Sequence, residues 1–111
     1  MPKTIDRERF HGFSREVRSY LPRIHGSLDT LRTDPARADA VEEAHGLIHR
    51  IRDNASALGL PALSHIGFLL EEAIEELATG QLQWSPAVGR TLSRVLGLSE
   101  TYLDAPEGRR H

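Results

Sequence analysis

Apolar residues recur at steps of three and four along most of the chain, the spacing of one face of an α-helix. In the second such segment the recurring positions are Val41, Ala44, Ile48, Ile51, Ala55 and Leu58. The third segment repeats the pattern with Leu63, Ile66, Leu70, Ala73 and Leu77. Both segments predict amphipathic helices that bury one stripe of side chains in a shared core.

Two further segments flank this pair. The first covers about residues 5–32. It contains Pro22, which predicts that the helix is kinked or split there, because proline lacks the backbone N–H. The fourth segment begins at Ser85-Pro86. Its apolar side holds Val88, Leu92, Val95, Ser99 and Tyr102.

Short polar breaks separate the four segments. Asp34 predicts the N-cap of the second helix, and Pro35 suits its first position. Gly59 and Gly80 predict the ends of the second and third helices. The sequence therefore predicts an all-α fold, an antiparallel up-down four-helix bundle that forms one domain over residues 1–104. Residues 105–111 are a polar C-terminal tail.

Composition narrows the classes of function. The 14 Lys and Arg residues against 16 Asp and Glu residues give a net charge of −2, which argues against nucleic-acid binding. The chain has no cysteine, which excludes thiol chemistry and disulfides. The longest apolar run, Ile66 to Leu70, is too short for a membrane span, and residues 1–9 lack the apolar core of a signal peptide. We expect a cytoplasmic protein without membrane contact.

Candidate chemistry lies on the second helix. His49 follows Ile48 and falls about 100° around the helix from it, on the flank of the apolar stripe. His45 and Arg52 share the flank of His49. A neutral imidazole can attack phosphorus, and a guanidinium can pair with phosphoryl oxygens. The alternative is an ordinary solvated face that carries a histidine beside an arginine.

The run from His49 to Leu60 resembles the signature of histidine phosphotransfer (HPt) domains. The matching positions are His49, Ile51, Arg52, Asn54, Ala55, Leu58 and Gly59. The segment Leu69-Leu70-Glu71 and the connector 78–86 are similar to the HPt domains at the N-terminus of CheA-like chemotaxis kinases. The resemblance covers about residues 10–103, most of the chain.

The resemblance implies a phosphorelay. His49 would take a phosphoryl group on Nε2 from a histidine kinase catalytic domain and pass it to the aspartate of a response-regulator receiver domain. Glu71 matches the carboxylate that orients the imidazole, and Arg52 would supply phosphoryl electrostatics. No cofactor or metal is implied, nor any ATP-binding catalytic domain within this chain. We expect a monomeric domain, either free-standing or the N-terminal part of a longer kinase.

Two positions depart from the family pattern. Asp53 stands where the family usually has glycine, and its charge would repel a phosphoryl group and favour the protonated imidazole. Phe68 replaces a residue that is often polar, and the helical spacing places it facing outward. Together with Arg50, these residues are the candidates for partner docking.

Three alternatives come from other classes of function. His45 and His49, with Glu42 or Asp53, have the i, i+4 spacing that metals favour, although no second helix offers a clear third histidine. A helix-turn-helix around Gly59 is disfavoured because four glutamates of the third helix would face phosphates. The strongest rival is an HPt-like module that binds a partner without being phosphorylated. His65 is expected to be packed or half-buried.

Overall fold

Four α-helices make up the chain in the computed structural model, which describes residues 7–104. Helix α1 spans Arg7–Thr33, α2 spans Ala38–Ala57, α3 spans Pro61–Thr79 and α4 spans Pro86–Asp104. No residue in this range lies in a strand. The all-α, four-helix prediction is confirmed. The tail predicted at 105–111 lies outside the described residues.

Helix α1 is continuous past its internal proline. It runs from Arg7 to Thr33 with Pro22 inside it. The helix is therefore not divided at Pro22, and a bend there stays a prediction. The exposed position of Pro22 places the missing hydrogen bond on the solvent side of α1.

The start of α2 differs from the prediction. The N–H of Asp34 donates to the carbonyl of Thr30 over 3.0 Å, so Asp34 extends the end of α1. Its carbonyl then accepts the N–H of Arg37 over 3.1 Å, which forms a turn through Pro35. Arg37 is the N-cap, and α2 begins three residues later than Pro35. Local backbone bonding in this connection overrides the capping preference of Asp34.

The other helix boundaries follow the predicted signals. Gly59 and Gly80 have φ angles of 76° and 83°, the left-handed conformation that ends a helix at low cost only for glycine. Pro61 and Pro86 open α3 and α4. The hydroxyl of Ser85 accepts the N–H of Val88 over 3.2 Å, which caps the first turn of α4.

Helices α2 and α3 are the most closely packed pair and run in opposite directions. Successive contacts join positions 45 and 75, 49 and 71, 52 and 67, and 56 and 64. In these contacts the residue numbers rise along α2 while they fall along α3, so the two helices run in opposite directions. This register places the flank that carries His49 beside α3.

The core includes more residues than the predicted apolar stripes of α2 and α3. Ile48, Ile51, Ala55, Leu63, Leu70 and Leu77 are buried as predicted. Leu58, Ile66 and Ala73 are only partly buried, contrary to the prediction. Leu47 and Ile74, which lie beside the predicted stripes, are buried. A bundle helix contacts two neighbours, so it buries a wider stripe than two positions in seven. Over residues 7–104 no helix combines the length and apolar content that crossing a bilayer requires.

Ile51 provides a test of this core. Its side chain is 4% exposed, beneath the helix face that carries His49. We expect Ile51→Ala to lower the free energy of unfolding by about 2–4 kcal/mol, because it leaves a cavity in a closed site. Urea titration measures the change. Leu98→Ala is the matched control, since Leu98 is 53% exposed and should change stability little. Equal effects of the two substitutions would contradict the packing.

Candidate functional site

His49 stands on the flank of α2 with its ring between α2 and α3. The side chain is 45% exposed, so the imidazole is accessible from solvent. Its Nδ1 atom lies 2.6 Å from Oε2 of Glu71 on α3. The expected contact between His49 and Glu71 is confirmed. The side chain of Glu71 is only 8% exposed, which holds this carboxylate in a fixed position.

Arg52 completes a triad with His49 and Glu71. Its NH1 atom lies 3.0 Å from Oε1 of Glu71, so the two carboxylate oxygens serve different partners. Its NH2 atom is 3.4 Å from Nδ1 of His49. A nitrogen that donates to Glu71 cannot also accept from Arg52, and the 2.6 Å contact is the shorter one. We therefore place a proton on Nδ1 and direct the charge of Arg52 toward Glu71.

The position of Arg52 bears on its predicted role. The guanidinium lies on the Nδ1 side of the imidazole, where it offsets the buried charge of Glu71. The phosphoryl group of the predicted reaction would sit on Nε2, at the other side of the ring. A direct contact between Arg52 and a phosphoryl group stays a prediction.

Asp53 lies at the opposite side of the ring from Glu71. Its Oδ2 atom is 3.3 Å from Nε2 of His49, one helical turn away along α2. The Asp53 side chain is 64% exposed, so its charge is partly screened by water. This contact is attractive only when Nε2 carries a proton. The imidazole therefore stands between two carboxylates, one buried and one exposed.

The other two docking candidates point in different directions. The guanidinium of Arg50 lies 5.8 Å from the centre of the Tyr20 ring, on the α1 side of α2. Phe68 is 41% exposed, as its outward placement predicted. The guanidinium of Arg52 lies 5.8 Å from the Phe68 ring. The structure thus brings Phe68 to the His49 site and places Arg50 away from it.

Asn54, one of the positions that match the HPt signature, belongs to a polar cluster between α1 and α2. The amide of Asn54 donates to Oε1 of Glu16 over 3.3 Å, and the hydroxyl of Tyr20 donates to Oε2 over 2.6 Å. Burial and the neighbouring Glu16 carboxylate raise the pKa of the Tyr20 phenol. Asn54 therefore joins α2 to α1, on a different face from His49.

A second histidine–glutamate pair lies one turn from the first, and the sequence reasoning did not identify it. Nε2 of His45 is 2.9 Å from Oε2 of Glu75. The rings of His45 and His49 are nearly parallel, 5° apart in plane, with centroids separated by 6.5 Å. The signal was present, because both the histidines and the glutamates are spaced four residues apart.

Gly67 is another residue whose position matters here. It is buried where α3 meets α2, and a Cβ at this position would lie 2.9 Å from Cβ of Arg52. The absence of a side chain lets the two helices approach closely under the site. From this point the Arg52 side chain reaches both Glu71 and the Phe68 ring.

The metal alternative finds no support in the geometry. Among the residues at 7–104, no group of three or more His, Asp or Glu side chains is arranged to hold a metal ion. His65, expected to be packed or half-buried, is exposed and stacks on Phe68 with a centroid distance of 6.5 Å. That expectation is wrong, because His65 lies outside the stripe that α3 buries.

Comparison of the chain with family models, with curated proteins and with solved structures gave no match.

Proposed function

We propose that the protein is a histidine phosphotransfer module of a two-component phosphorelay. In this proposal the four helices form an antiparallel up-down bundle bent at Pro22, and His49 carries the phosphoryl group. The contact that carries the proposal is the 2.6 Å separation of Nδ1 of His49 and Oε2 of Glu71. It leaves the far nitrogen of a solvent-accessible imidazole as the reactive atom.

The first step is phosphoryl uptake from ATP bound to a histidine kinase catalytic domain. The lone pair on Nε2 of His49 attacks the γ-phosphorus, and the bond from that phosphorus to the bridging oxygen breaks, releasing ADP. Nδ1 keeps its proton and donates a hydrogen bond to Glu71 as positive charge develops on the ring. Glu71 therefore stabilises the charged ring and holds the tautomer with Nε2 unprotonated.

The second step passes the phosphoryl group to a receiver domain. A carboxylate oxygen of the acceptor aspartate attacks phosphorus, the P–N bond breaks, and its electron pair returns to Nε2. The receiver must approach along the exposed edge of His49. Phe68, Asp53 and Arg52 border a groove of about 730 Å³ that runs from the site toward the connection between α2 and α3. In this proposal the groove is part of the docking surface.

Phosphoryl transfer from a kinase tests the proposal. The protein is mixed with radiolabelled ATP and the catalytic core of a CheA-like kinase that lacks its own HPt domain. We expect a label that is labile in acid and stable in base, which is typical of phosphohistidine. Addition of a receiver domain should remove it. Failure of several such kinases to label the protein would contradict the proposal.

Glu71→Ala should slow labelling by about tenfold without abolishing it. A hydrogen bond to a charged group contributes about 1.5–3 kcal/mol. Loss of about 1.4 kcal/mol of that in the transition state corresponds to tenfold in rate. Glu71→Gln should restore part of the rate, because its amide oxygen still accepts from Nδ1.

Glu75→Ala is the matched control for this prediction. Glu75 contacts His45 as Glu71 contacts His49, and it is one turn further along α3. We expect its labelling rate to equal that of the unmodified protein. Initial rates, with thermal melting as a check on folding, distinguish the two variants. Equal rates for Glu71→Ala and Glu75→Ala would contradict the orienting role of Glu71.

A second candidate function is an HPt-like module that binds partners and is never phosphorylated. The observation that favours it is the 3.3 Å contact between Asp53 and Nε2 of His49. A carboxylate at this distance stands where the phosphoryl group would have to arrive. A protein that binds a receiver domain but takes no label from any kinase would establish this second function.

A further inference from the structure

A long groove lies between α1 and α4, on a different side of the bundle from His49. It encloses about 940 Å³. Apolar groups form its floor, where Leu28 of α1 meets Trp84, Pro86 and Gly89 at the start of α4. The α4 side of the groove runs from Pro86 to Arg94, about 12 Å along the helix.

Trp84 sits against the first turn of α4 because position 89 is a glycine. A Cβ on Gly89 would lie 2.9 Å from the Cζ2 atom of the Trp84 indole. The indole is only half-buried and borders the groove. A large aromatic side chain is thus held in place while part of it remains open to solvent.

Positive charge surrounds this apolar floor. Arg90 and Arg94, one turn apart on α4, are both exposed, and neither forms an ion pair in the structure. Across the groove, Arg32 pairs with Asp29 over 3.1 Å, and His25 lies on the same side. The groove therefore carries an excess of positive charge in a chain whose net charge is −2.

We propose that this groove docks an acidic amphipathic helix of a partner protein. An apolar floor with a charged rim is the anatomy of a protein interface, and Trp and Arg are the residue types enriched at its energetic centres. The groove is open along its length, whereas small-molecule sites enclose most of the ligand. Arg90 and Arg94 would pair with carboxylates that are also one turn apart on the bound helix.

Calorimetric titration of the whole protein with a designed peptide tests the proposal. The probe is an amphipathic peptide of about twelve residues, three turns of helix, with leucines on one face and glutamates beside them. A second peptide carries lysines in place of the glutamates. We expect only the acidic peptide to bind, and salt to weaken its binding. Trp84 is the only tryptophan, so a shift in its emission locates the peptide in the groove.

Variants of the rim provide the decisive comparison. Arg90→Glu with Arg94→Glu should weaken peptide binding by about tenfold or more. The matched control reverses two other exposed arginines, Arg7 and Arg15, at the distant end of α1. It should bind within about twofold of the unmodified protein, as expected for charges beyond the Debye length. Should the glutamate pair unfold the protein, Arg90→Ala with Arg94→Ala replaces it.

Four results would overturn the proposal. In the peptide titration, these are no binding of the acidic peptide at millimolar concentration and equally tight binding of the lysine peptide. In the variants, they are an equal loss of binding in both arginine pairs and unchanged binding when Arg90 and Arg94 are replaced. Displacement of the peptide by micromolar ATP would also contradict it, since the groove would then be a nucleotide site. None of these outcomes depends on phosphorylation of His49.

Discussion

His49→Gln should abolish phosphoryl uptake completely while leaving the helical bundle folded. The nitrogen lone pair of a glutamine amide is delocalised into the carbonyl and is not nucleophilic, so no partial rate is expected. The amide N–H can still donate to Glu71, whose side chain would otherwise lose one of its two partners. Because the His49 side chain is 45% exposed, we expect a change in stability below about 1 kcal/mol.

His45→Gln is the control for the nucleophile. His45 shares the same helix face, contacts a glutamate in the same way and is nearly as accessible, with 33% of its side chain exposed. The Nε2 atom of His45 contacts Glu75 and is therefore not free to attack phosphorus. We expect the His45→Gln protein to be labelled as fully as the unmodified protein. Mapping of the phosphorylated peptide gives the answer directly. A label on His45 or His65 would show that the register of the motif is wrong.

Asp53→Asn should raise the rate of phosphoryl uptake by about fivefold. A unit charge near 4 Å contributes about 1 kcal/mol in water, which corresponds to roughly this factor. The carboxylate lies beside Nε2, where it repels the incoming phosphoryl group. Since Asp53 is exposed, the gain should shrink as salt is raised from about 0.01 M to 1 M.

Further variants distinguish the effect of the Asp53 charge from the effect of the bulk of its side chain. Asp53→Gly removes the side chain as well as the charge, at a cost of about 0.3 kcal/mol in helix stability, because aspartate is itself a weak helix former. A larger gain for glycine than for asparagine would show that bulk also hinders the partner. Glu42→Gln removes one exposed charge two helical turns from His49, about 10 Å along the axis, and should leave the rate within about twofold. An unchanged rate in both Asp53 variants would contradict the electrostatic argument.

The helices could be predicted because their signals are local. The three-and-four spacing of α2 and α3 and the glycines at 59 and 80 depend only on neighbouring residues. The start of α2 could not be predicted in the same way. Asp34 is a good capping residue, but its backbone bonds to Thr30 and Arg37 place it at the end of α1. The partial burial of Leu58 depends on how closely a neighbouring helix approaches, which helical spacing does not contain.

The site could be predicted in part. The flank position of His49 follows from its place beside Ile48, and the partnership with Glu71 came from the resemblance to a family. The orientation of Arg52 could not be predicted, because it depends on the close approach at Gly67 and on the buried charge of Glu71. The pair formed by His45 and Glu75 depends on the alignment of two helices, which the spacing within either helix does not give.

The two histidine–glutamate pairs also favour the observed alignment of α2 and α3 over its neighbours. If α3 slipped by one turn in one direction, Glu75 would face His49, Glu71 would face Asp53, and His45 would be left opposite Thr79. A slip in the other direction would leave His49 opposite Gly67 and Glu75 opposite Val41. Each slip loses one pair, and the first also opposes two carboxylates. Polar pairs of this kind select one alignment of packed helices over its neighbours. The contact between Glu71 and the His49 imidazole therefore also favours the helix alignment on which that contact depends.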